Sequence, residues 1–177
     1  MVLSIFLLQD YEKALIGIAL LFFVIYVFLV IHSIVALKSF KNTLNSYEAS
    51  IKMCIVETIT LIRELSKISD IKINDDVNEK LDKIESFAAQ DIIKGYYKQV
   101  FMIFSELYNS TKGNIQDSER LREIENNFLQ QKELDKLYQN ALFCHNADLI
   151  GYNYWVKNIL VKPFTLLFKF KKRESIY

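Results

Sequence analysis

The chain begins with a long apolar segment and continues with polar sequence in which apolar residues recur at helical spacing. Residues 14–37 are 24 positions without a formally charged side chain. As a helix they reach roughly 36 Å, enough to cross a hydrocarbon core of about 30 Å. The alternative is a buried core helix. Because a soluble helix rarely stays apolar on every face for this length, the pattern favours a transmembrane helix.

A cleaved signal peptide fits the apolar block poorly. Residues 1–13 contain two acids and one lysine instead of a basic stretch, and the block is too long for a signal-peptide core and lacks a small-residue cleavage site. Before the block only Lys13 is basic, whereas Lys38, Lys41 and Lys52 follow it. The positive-inside rule therefore predicts a cell-membrane protein with its N-terminus outside and its C-terminal domain in the cytoplasm.

The polar sequence after the block is predicted to continue the same helix. Apolar residues recur at threes and fours, which extends the helix to about Ser66. A loop over 68–74 follows, and Asp75 or Asp76 is placed to cap a second helix over 77–107. The two apolar faces consist of Leu44, Tyr47, Ile51, Ile55, Thr58, Ile62 and Leu65, and of Val77, Leu81, Ile84, Ala88, Ile92, Tyr96, Val100, Phe104 and Leu107.

A third helix is predicted between two turn signals. Gly113 and Asn114 indicate the preceding turn, Asp117 or Ser118 the cap, and Gly151 the end of the helix. Its apolar face consists of Leu121, Ile124, Phe128, Tyr138, Leu142 and Leu149. The second helix also carries an aromatic stripe, which is interpreted as core packing, with an exposed partner groove as the alternative. The stripe consists of Tyr96, Tyr97, Phe101, Phe104 and Tyr108.

The expected fold is all-α: an N-terminal transmembrane helix that continues into an antiparallel bundle of three long helices plus a short C-terminal helical element. One proline and four glycines supply too few turns for a sandwich or a barrel. The expected divisions are a short N-terminal segment (1–13), the transmembrane helix (14–37) and the helical-bundle domain (38–177), with a basic and aromatic tail from 152. Helix three would end far from the bilayer, so the tail is expected to reverse at Gly151 and return.

Basic residues concentrate in the tail, although the net charge of the chain is only +1. Positions 157–173 contain six basic residues and no acid, which leaves 16 basic and 21 acidic residues elsewhere. Together with the aromatic residues of the tail, this favours contact with an anionic membrane surface; a solvated chain end and nucleic-acid binding are the alternatives. The residues predicted to contact the membrane surface are Lys157, Lys162, Lys169, Lys171, Lys172 and Arg173.

The two histidines do not form a catalytic or metal-ligating pair. His32 lies at the membrane boundary, and His145 lies in the third helix. Asp148 is three residues after His145, as a base and its orienting carboxylate would be, but no serine or cysteine nucleophile stands at a usable spacing. His145 is therefore expected to be structural.

The remaining candidate ligands also have simpler explanations. Cys54 and Cys144 lack the spacing of a zinc site and are expected to be buried reduced thiols. Asp75 and Asp76 lack the register of an EF-hand loop, so helix capping explains them. We therefore expect no enzyme activity, no cofactor and no metal site.

A motif in the late part of the chain matches a known family signature. Residues 138–146, YQNALFCHN, are similar to a signature close to YNxAVxxYN, with Tyr138, Asn140, Ala141 and Asn146 at the matching positions. The chain thereby resembles the LemA family of membrane-anchored helical-bundle proteins, which carries this signature. Residues 121–126, LREIEN, resemble the family's L-x-x-E-x-x-E-N lead-in. Near the membrane, HSIVALK at 32–38 resembles YNxLVxLR, and NILVKPFTLLFKFKKR at 158–173 resembles the tail NxxAxxFGFKxK.

The resemblance covers roughly residues 14–65 and 115–174. It departs from the family in the first helix, where 52–60 replace a usual basic pair and D-L-I-P segment, and at Phe143 and Cys144, which replace polar residues. The resemblance implies an antiparallel helical bundle on a single span, in a family without an established catalytic activity.

The expected function is that of a non-enzymatic single-pass membrane protein, an interaction or scaffold module at the cytoplasmic face. The alternative is a small regulatory subunit of a membrane transporter or protease complex, and a small-molecule enzyme is a distant third. The expected partners are membrane lipid and an unidentified protein, not nucleic acid. The oligomeric state stays open.

Overall fold

Five helices make up the regular structure of the described residues. The structure, a computed structural model, describes residues 2–90, 95–113, 115, 117–158 and 162–176, with side chains except at 2–10 and 88–90. The elements are α1 (Val2–Ser69), α2 (Asp75–Gln90), α3 (Tyr96–Lys112), α4 (Ser118–Lys157) and α5 (Lys162–Leu167). Within those ranges every regular element is a helix, so the predicted all-α class is confirmed.

The chain divides into two units. Unit 1 contains Met1–Lys41 and Gly151–Arg173, and unit 2 contains Asn42–Ile150 and Glu174–Tyr177. The tail after residue 150 therefore groups mainly with the apolar N-terminal helix, and only its last four residues group with the bundle.

Helix α1 runs unbroken from the apolar block into the polar sequence, as predicted. Asp70 ends it with a left-handed φ of 55°, a conformation that aspartate tolerates better than most residues. The Ser69 hydroxyl donates to the Leu65 carbonyl at 2.7 Å and accepts from the Ile71 N–H at 3.4 Å, which links the last helical turn to the loop that follows.

Side-chain caps begin α2 and α4. The Asn74 side-chain oxygen accepts from the Asp76 backbone N–H at 3.3 Å, so Asn74 caps α2, and the predicted caps Asp75 and Asp76 lie in its first turn instead. Both carboxylates still favour the helix N-terminus through its positive end. At α4, Asp117 accepts from the Glu119 N–H at 3.0 Å, which confirms it as one of the two predicted caps.

The predicted second helix is divided into two. Gly95 lies between α2 and α3 with a φ of 86°. Residues inside an α-helix do not adopt this angle, and glycine adopts it readily because it has no Cβ. Apolar periodicity continues across this point and concealed the break. Of the residues predicted on this helix, Ala88 lies outside the described side chains and Ile92 outside the described residues.

The helices of unit 2 alternate in direction. Arg120 near the start of α4 pairs with Asp70 at 2.8 Å, and His145 lies 3.4 Å from Glu48, so α4 runs antiparallel to α1. The short loop over 70–74 makes α2 antiparallel to α1 as well. Tyr97 stacks on Tyr138, and Tyr108 on Phe128, so α3 runs opposite to α4.

This order corrects the predicted topology. With α2 and α3 as a hairpin, α4 begins beside the C-terminal end of α1 and runs back along it. In unit 1, Gly151 of α4 lies against the Phe40 ring, three residues beyond the apolar block. The tail therefore does not retrace the length of the preceding helix.

Gly151 also has a different role from the predicted one. It does not end the helix, because α4 continues to Lys157. A Cβ at this position would lie 3.1 Å from the Phe40 ring, so the glycine allows close packing of α4 on α1.

The core of unit 2 follows the predicted stripes. Buried members include Ile51, Ile55 and Ile62 of α1, Leu81 of α2 and Phe104 of α3. The α4 stripe contributes buried Ile124 and Tyr138, with Phe128 and Leu142 packed against them. The aromatic stripe is core packing, since Tyr97, Phe104 and Tyr108 are buried, although Phe101 is exposed.

Candidate functional site

The apolar half of α1 is the most unusual surface of the protein. Every residue from 11 to 29 is exposed, and most of them are large and hydrophobic. Only 6% of the most apolar window of this helix is buried. By length and composition it is the one helix among the described residues that is apolar enough to cross a membrane.

A short stripe of the same helix is covered within unit 1. Val30, Ser33 and Leu37 are buried, and their spacing of three and four places them on one face. The Ser33 hydroxyl donates to the Leu29 carbonyl at 2.7 Å, so its polar group is satisfied inside the helix. Thus the apolar block of α1 is covered only on one face and only near its end.

Helix α5 ends in a Schellman motif with a lysine where glycine is usual. Lys169 has a φ of 54°. The Phe170 N–H donates to the Thr165 carbonyl at 2.8 Å and the Lys169 N–H to the Leu166 carbonyl at 3.2 Å, the two bonds that define the motif. The motif reverses the chain directly after Phe168.

The chain after α5 is held along the end of α4 by side-chain to backbone hydrogen bonds. The Asn153 amide both donates to the Arg173 carbonyl at 2.9 Å and accepts from the Arg173 N–H at 3.0 Å. The buried Tyr152 hydroxyl donates to the Lys171 carbonyl at 3.0 Å, and the Arg173 guanidinium lies 5.8 Å from the centre of the Tyr152 ring. The described residues of the tail in unit 1 therefore form a hairpin, with the chain after α5 bonded to the end of α4.

The six predicted basic residues are spread over this hairpin. Lys157 ends α4, Lys162 begins α5 and Lys169 caps it. All five lysines of the set are exposed, whereas Arg173 is half-buried against Tyr152. A further lysine, Lys41, contacts the tail although no sequence pattern indicates it: its Nζ lies 5.9 Å from the centre of the Phe170 ring.

An apolar groove of about 300 Å³ lies between α1 and α5 within unit 1. We call it the α1–α5 groove. It lies along the C-terminal half of the apolar block. Its lining consists of Tyr26, Val27, Val30, Ile31, Ile34, Phe164, Leu167 and Phe168.

A second, acidic groove runs along α1 and α4 in unit 2. Two adjoining cavities of about 310 and 400 Å³ share Gln130. The floor is apolar, with Leu61 buried and Leu134 half-buried. The charged lining residues are Glu57, Glu64, Glu123, Glu133 and Lys67. Four carboxylates against one amine give this α1–α4 groove a negative charge.

The described contacts of His145 are structural. The ring is buried, with Nε2 3.4 Å from the Glu48 Oε1 and Nδ1 3.4 Å from the Asn146 Oδ1. The partner is thus Glu48, far away in sequence, and not the predicted neighbour Asp148. No sequence spacing indicates a pair between residues 97 positions apart.

The cysteines differ in exposure. Cys54 is fully buried, as expected, and burial raises the pKa of its thiol, which keeps it in the unreactive protonated form. Cys144 is only half-buried, with its Sγ 3.8 Å from the Asn140 side-chain oxygen. Both are free thiols. Among the described residues, no group of three or more potential ligands is placed to hold a metal ion.

One buried polar network links α3 to α4. The Tyr97 hydroxyl donates to the Asp135 carboxylate at 3.2 Å and accepts from the Gln131 amide at 3.3 Å. Burial and the nearby Asp135 carboxylate raise the pKa of Tyr97 above its ordinary value. The Gln131 side-chain oxygen has no hydrogen-bond partner among the described residues. This network fixes the register of two helices and contains no nucleophile.

Comparisons of the chain with protein-family models, with curated proteins and with solved structures found no match.

Proposed function

We propose that the protein is a non-enzymatic, single-pass membrane protein of the LemA type, with unit 2 in the cytoplasm as an interaction or scaffold module. The exposure of α1 carries the membrane part of the proposal. A core helix of a soluble protein is mostly buried, whereas the apolar window here is 6% buried. Exposing so much apolar surface to water is very unfavourable, and lipid is the environment that removes the cost.

The positions of the signature residues support the LemA part. Tyr138 and Ala141 are buried against the core of unit 2. The Asn146 amide donates to the Ile176 carbonyl at 3.0 Å and so attaches the last residues to α4. Three of the four residues that resemble the signature therefore have structural tasks in the bundle, as residues of a fold-defining motif do.

The α1–α4 groove supports the interaction part. It combines an apolar floor with a rim of carboxylates, a surface that fits a basic amphipathic helix of a partner protein. Its α1 side extends from Met53 to Ile68, about 22 Å or four helical turns. The acidic rim would steer a basic partner and exclude acidic ones.

Alkaline carbonate extraction tests the membrane part. The full chain should stay in the membrane pellet, because the apolar half of α1 is held by burial in lipid and not by charge. A peripheral protein that is attached to the membrane by charge alone serves as the control, which the carbonate washes off. Recovery of the chain in the supernatant contradicts the anchor.

A charge-reversal pair tests the interaction part. From gently solubilised membranes, a partner bound at the acidic groove should be retained by the wild-type chain and lost from a Glu57→Lys variant. Glu106→Lys is the matched control, since Glu106 is equally an exposed glutamate of unit 2 but does not line the groove. Equal retention by both variants would contradict the groove as the interaction surface.

A further inference from the structure

The α1–α5 groove continues into a pair of lysines on the same face of α1. Lys38 is four residues after Ile34, and Lys41 is three residues after Lys38, so the stripe that lines the groove leads directly to both. Lys38 is exposed, and side chains on a helix tilt toward its N-terminus, which from Lys38 is the direction of the groove. Lys41 lies over Phe170, two residues beyond Phe168 of the groove.

The dimensions of this arrangement match one leaflet of a bilayer. From Tyr26 to Lys38 the helix rises by roughly 18 Å. The hydrocarbon of a single leaflet is about 15 Å thick. Lys38 is the first charged residue after the apolar block, so an acyl chain that lay in the groove would bring its headgroup to the lysines.

We propose that the α1–α5 groove binds one acyl chain of an anionic phospholipid from the cytoplasmic leaflet, and that Lys38 and Lys41 bind its phosphate. This lipid-binding proposal rests on the proposed membrane span. Each lysine is a compact point charge suited to a phosphate oxygen. The apolar helix of a second copy is a poorer occupant, because residues 14–37 contain no acid that would neutralise the two lysines.

Fluorescence quenching in reconstituted vesicles tests the site on the full chain. A Trp155→Phe background removes the one native tryptophan. A Leu167→Trp variant then reports from the groove lining. Leu166→Trp is the matched control, since Leu166 and Leu167 are neighbours with 76% and 72% exposure and only Leu167 lines the groove. The quencher is phosphatidylglycerol or phosphatidylcholine with brominated acyl chains, as a minor component of phosphatidylcholine vesicles.

The groove reporter should reach half-maximal quenching at about five-fold less brominated phosphatidylglycerol than brominated phosphatidylcholine, the factor that corresponds to about 1 kcal/mol for one lysine. The Leu166→Trp reporter should show a smaller preference. The double variant Lys38→Gln/Lys41→Gln should abolish the preference. Lys171→Gln/Lys172→Gln removes the same charge from exposed positions outside the groove and should keep it.

Three results overturn the proposal. Equal preference at both reporters means that the groove holds only bulk lipid. An equal loss of the phosphatidylglycerol preference in both double variants means that the general positive charge of the protein attracts the lipid. If neither brominated lipid quenches the Leu167→Trp reporter, protein fills the groove. Carbonate extraction of the same vesicles shows independently whether the protein spans the bilayer, so that failure of the lipid site is distinguished from failure of the proposed span. Circular dichroism verifies that each variant keeps the helical content of the parent.

Discussion

At the scale of single residues, some buried polar groups in unit 2 are matched by residues of another helix that are distant in sequence. Tyr97 is the centre of one such match, with Asp135 as acceptor and Gln131 as donor. Aromatic residues at helical spacing predicted correctly that Tyr97 faces the core. They did not predict its hydrogen-bond partners, because partner choice depends on the register between α3 and α4, which no local pattern specifies.

A Tyr97→Phe variant should lower the free energy of unfolding by about 1–3 kcal/mol, since it removes a bond to a carboxylate and leaves the Gln131 amide without its acceptor. Tyr108→Phe is the control: the described contacts of Tyr108 are made by its ring, which phenylalanine retains, so its effect should be smaller. Chemical unfolding of the full chain in detergent, followed by circular dichroism, measures both.

The raised pKa of Tyr97 adds a pH test. The folded state holds the phenolic proton of Tyr97 more tightly than the unfolded state, in which tyrosine titrates at about pH 10. The stabilisation is therefore complete below that pH and is lost as the pH rises above it. In the same unfolding measurement, wild-type stability should fall more steeply above about pH 10 than that of Tyr97→Phe; parallel profiles would contradict this role for the phenol.

At the scale of elements, the sequence predicted the helical faces well and the helix ends less well. The stripes on α1, α3 and α4 are core in the structure, because burial of one face determines both pattern and fold. The ends depend on single backbone conformations. The apolar period continues across Gly95 and does not indicate the break there, and Gly151 stands where a helix terminator is expected but packs on Phe40. A glycine in a sequence does not show which of these roles it has.

The two glycines that flank α3 allow a matched test of the helix division. Gly95→Ala should cost about 1–2 kcal/mol, because an L-residue at a φ of 86° clashes with its own backbone. Gly113 has a helical φ of −78° and open space around it, so Gly113→Ala should be neutral or stabilising by up to about 1 kcal/mol. Thermal unfolding midpoints compare the two; an equal effect would mean that the positive φ at Gly95 carries no cost.

At the scale of the whole molecule, each unit is built from two segments that are separated in the chain. Unit 1 joins the first helix to Gly151–Arg173, and unit 2 receives Glu174–Tyr177. The basic and aromatic composition of the tail indicated a special role but not these two attachments. They arise from long-range contacts such as Asn153 with Arg173 and Asn146 with Ile176, whose residue types also occur on ordinary surfaces.

Ile176 makes the second attachment measurable. Its side chain is 8% exposed in the core cluster of unit 2, so Ile176→Ala should cost roughly 2–4 kcal/mol. Ile150→Ala is the control in the same unit, since Ile150 is 74% exposed and should change stability by less than about 0.5 kcal/mol. Denaturant unfolding midpoints of the full chain measure both effects, and identical midpoints for the two variants would place Ile176 outside the core.

The division of unit 1 between two distant segments of the chain has a consequence during synthesis. The 109 residues Asn42–Ile150 separate the two segments of unit 1, and a ribosome needs about 5–20 s to translate them. Throughout that interval the helix that carries Val30, Ser33 and Leu37 exists without its cover. A nascent chain therefore completes unit 1 only after the long segment of unit 2 has been made, and a chain interrupted before Gly151 lacks the segment that packs with this helix in unit 1.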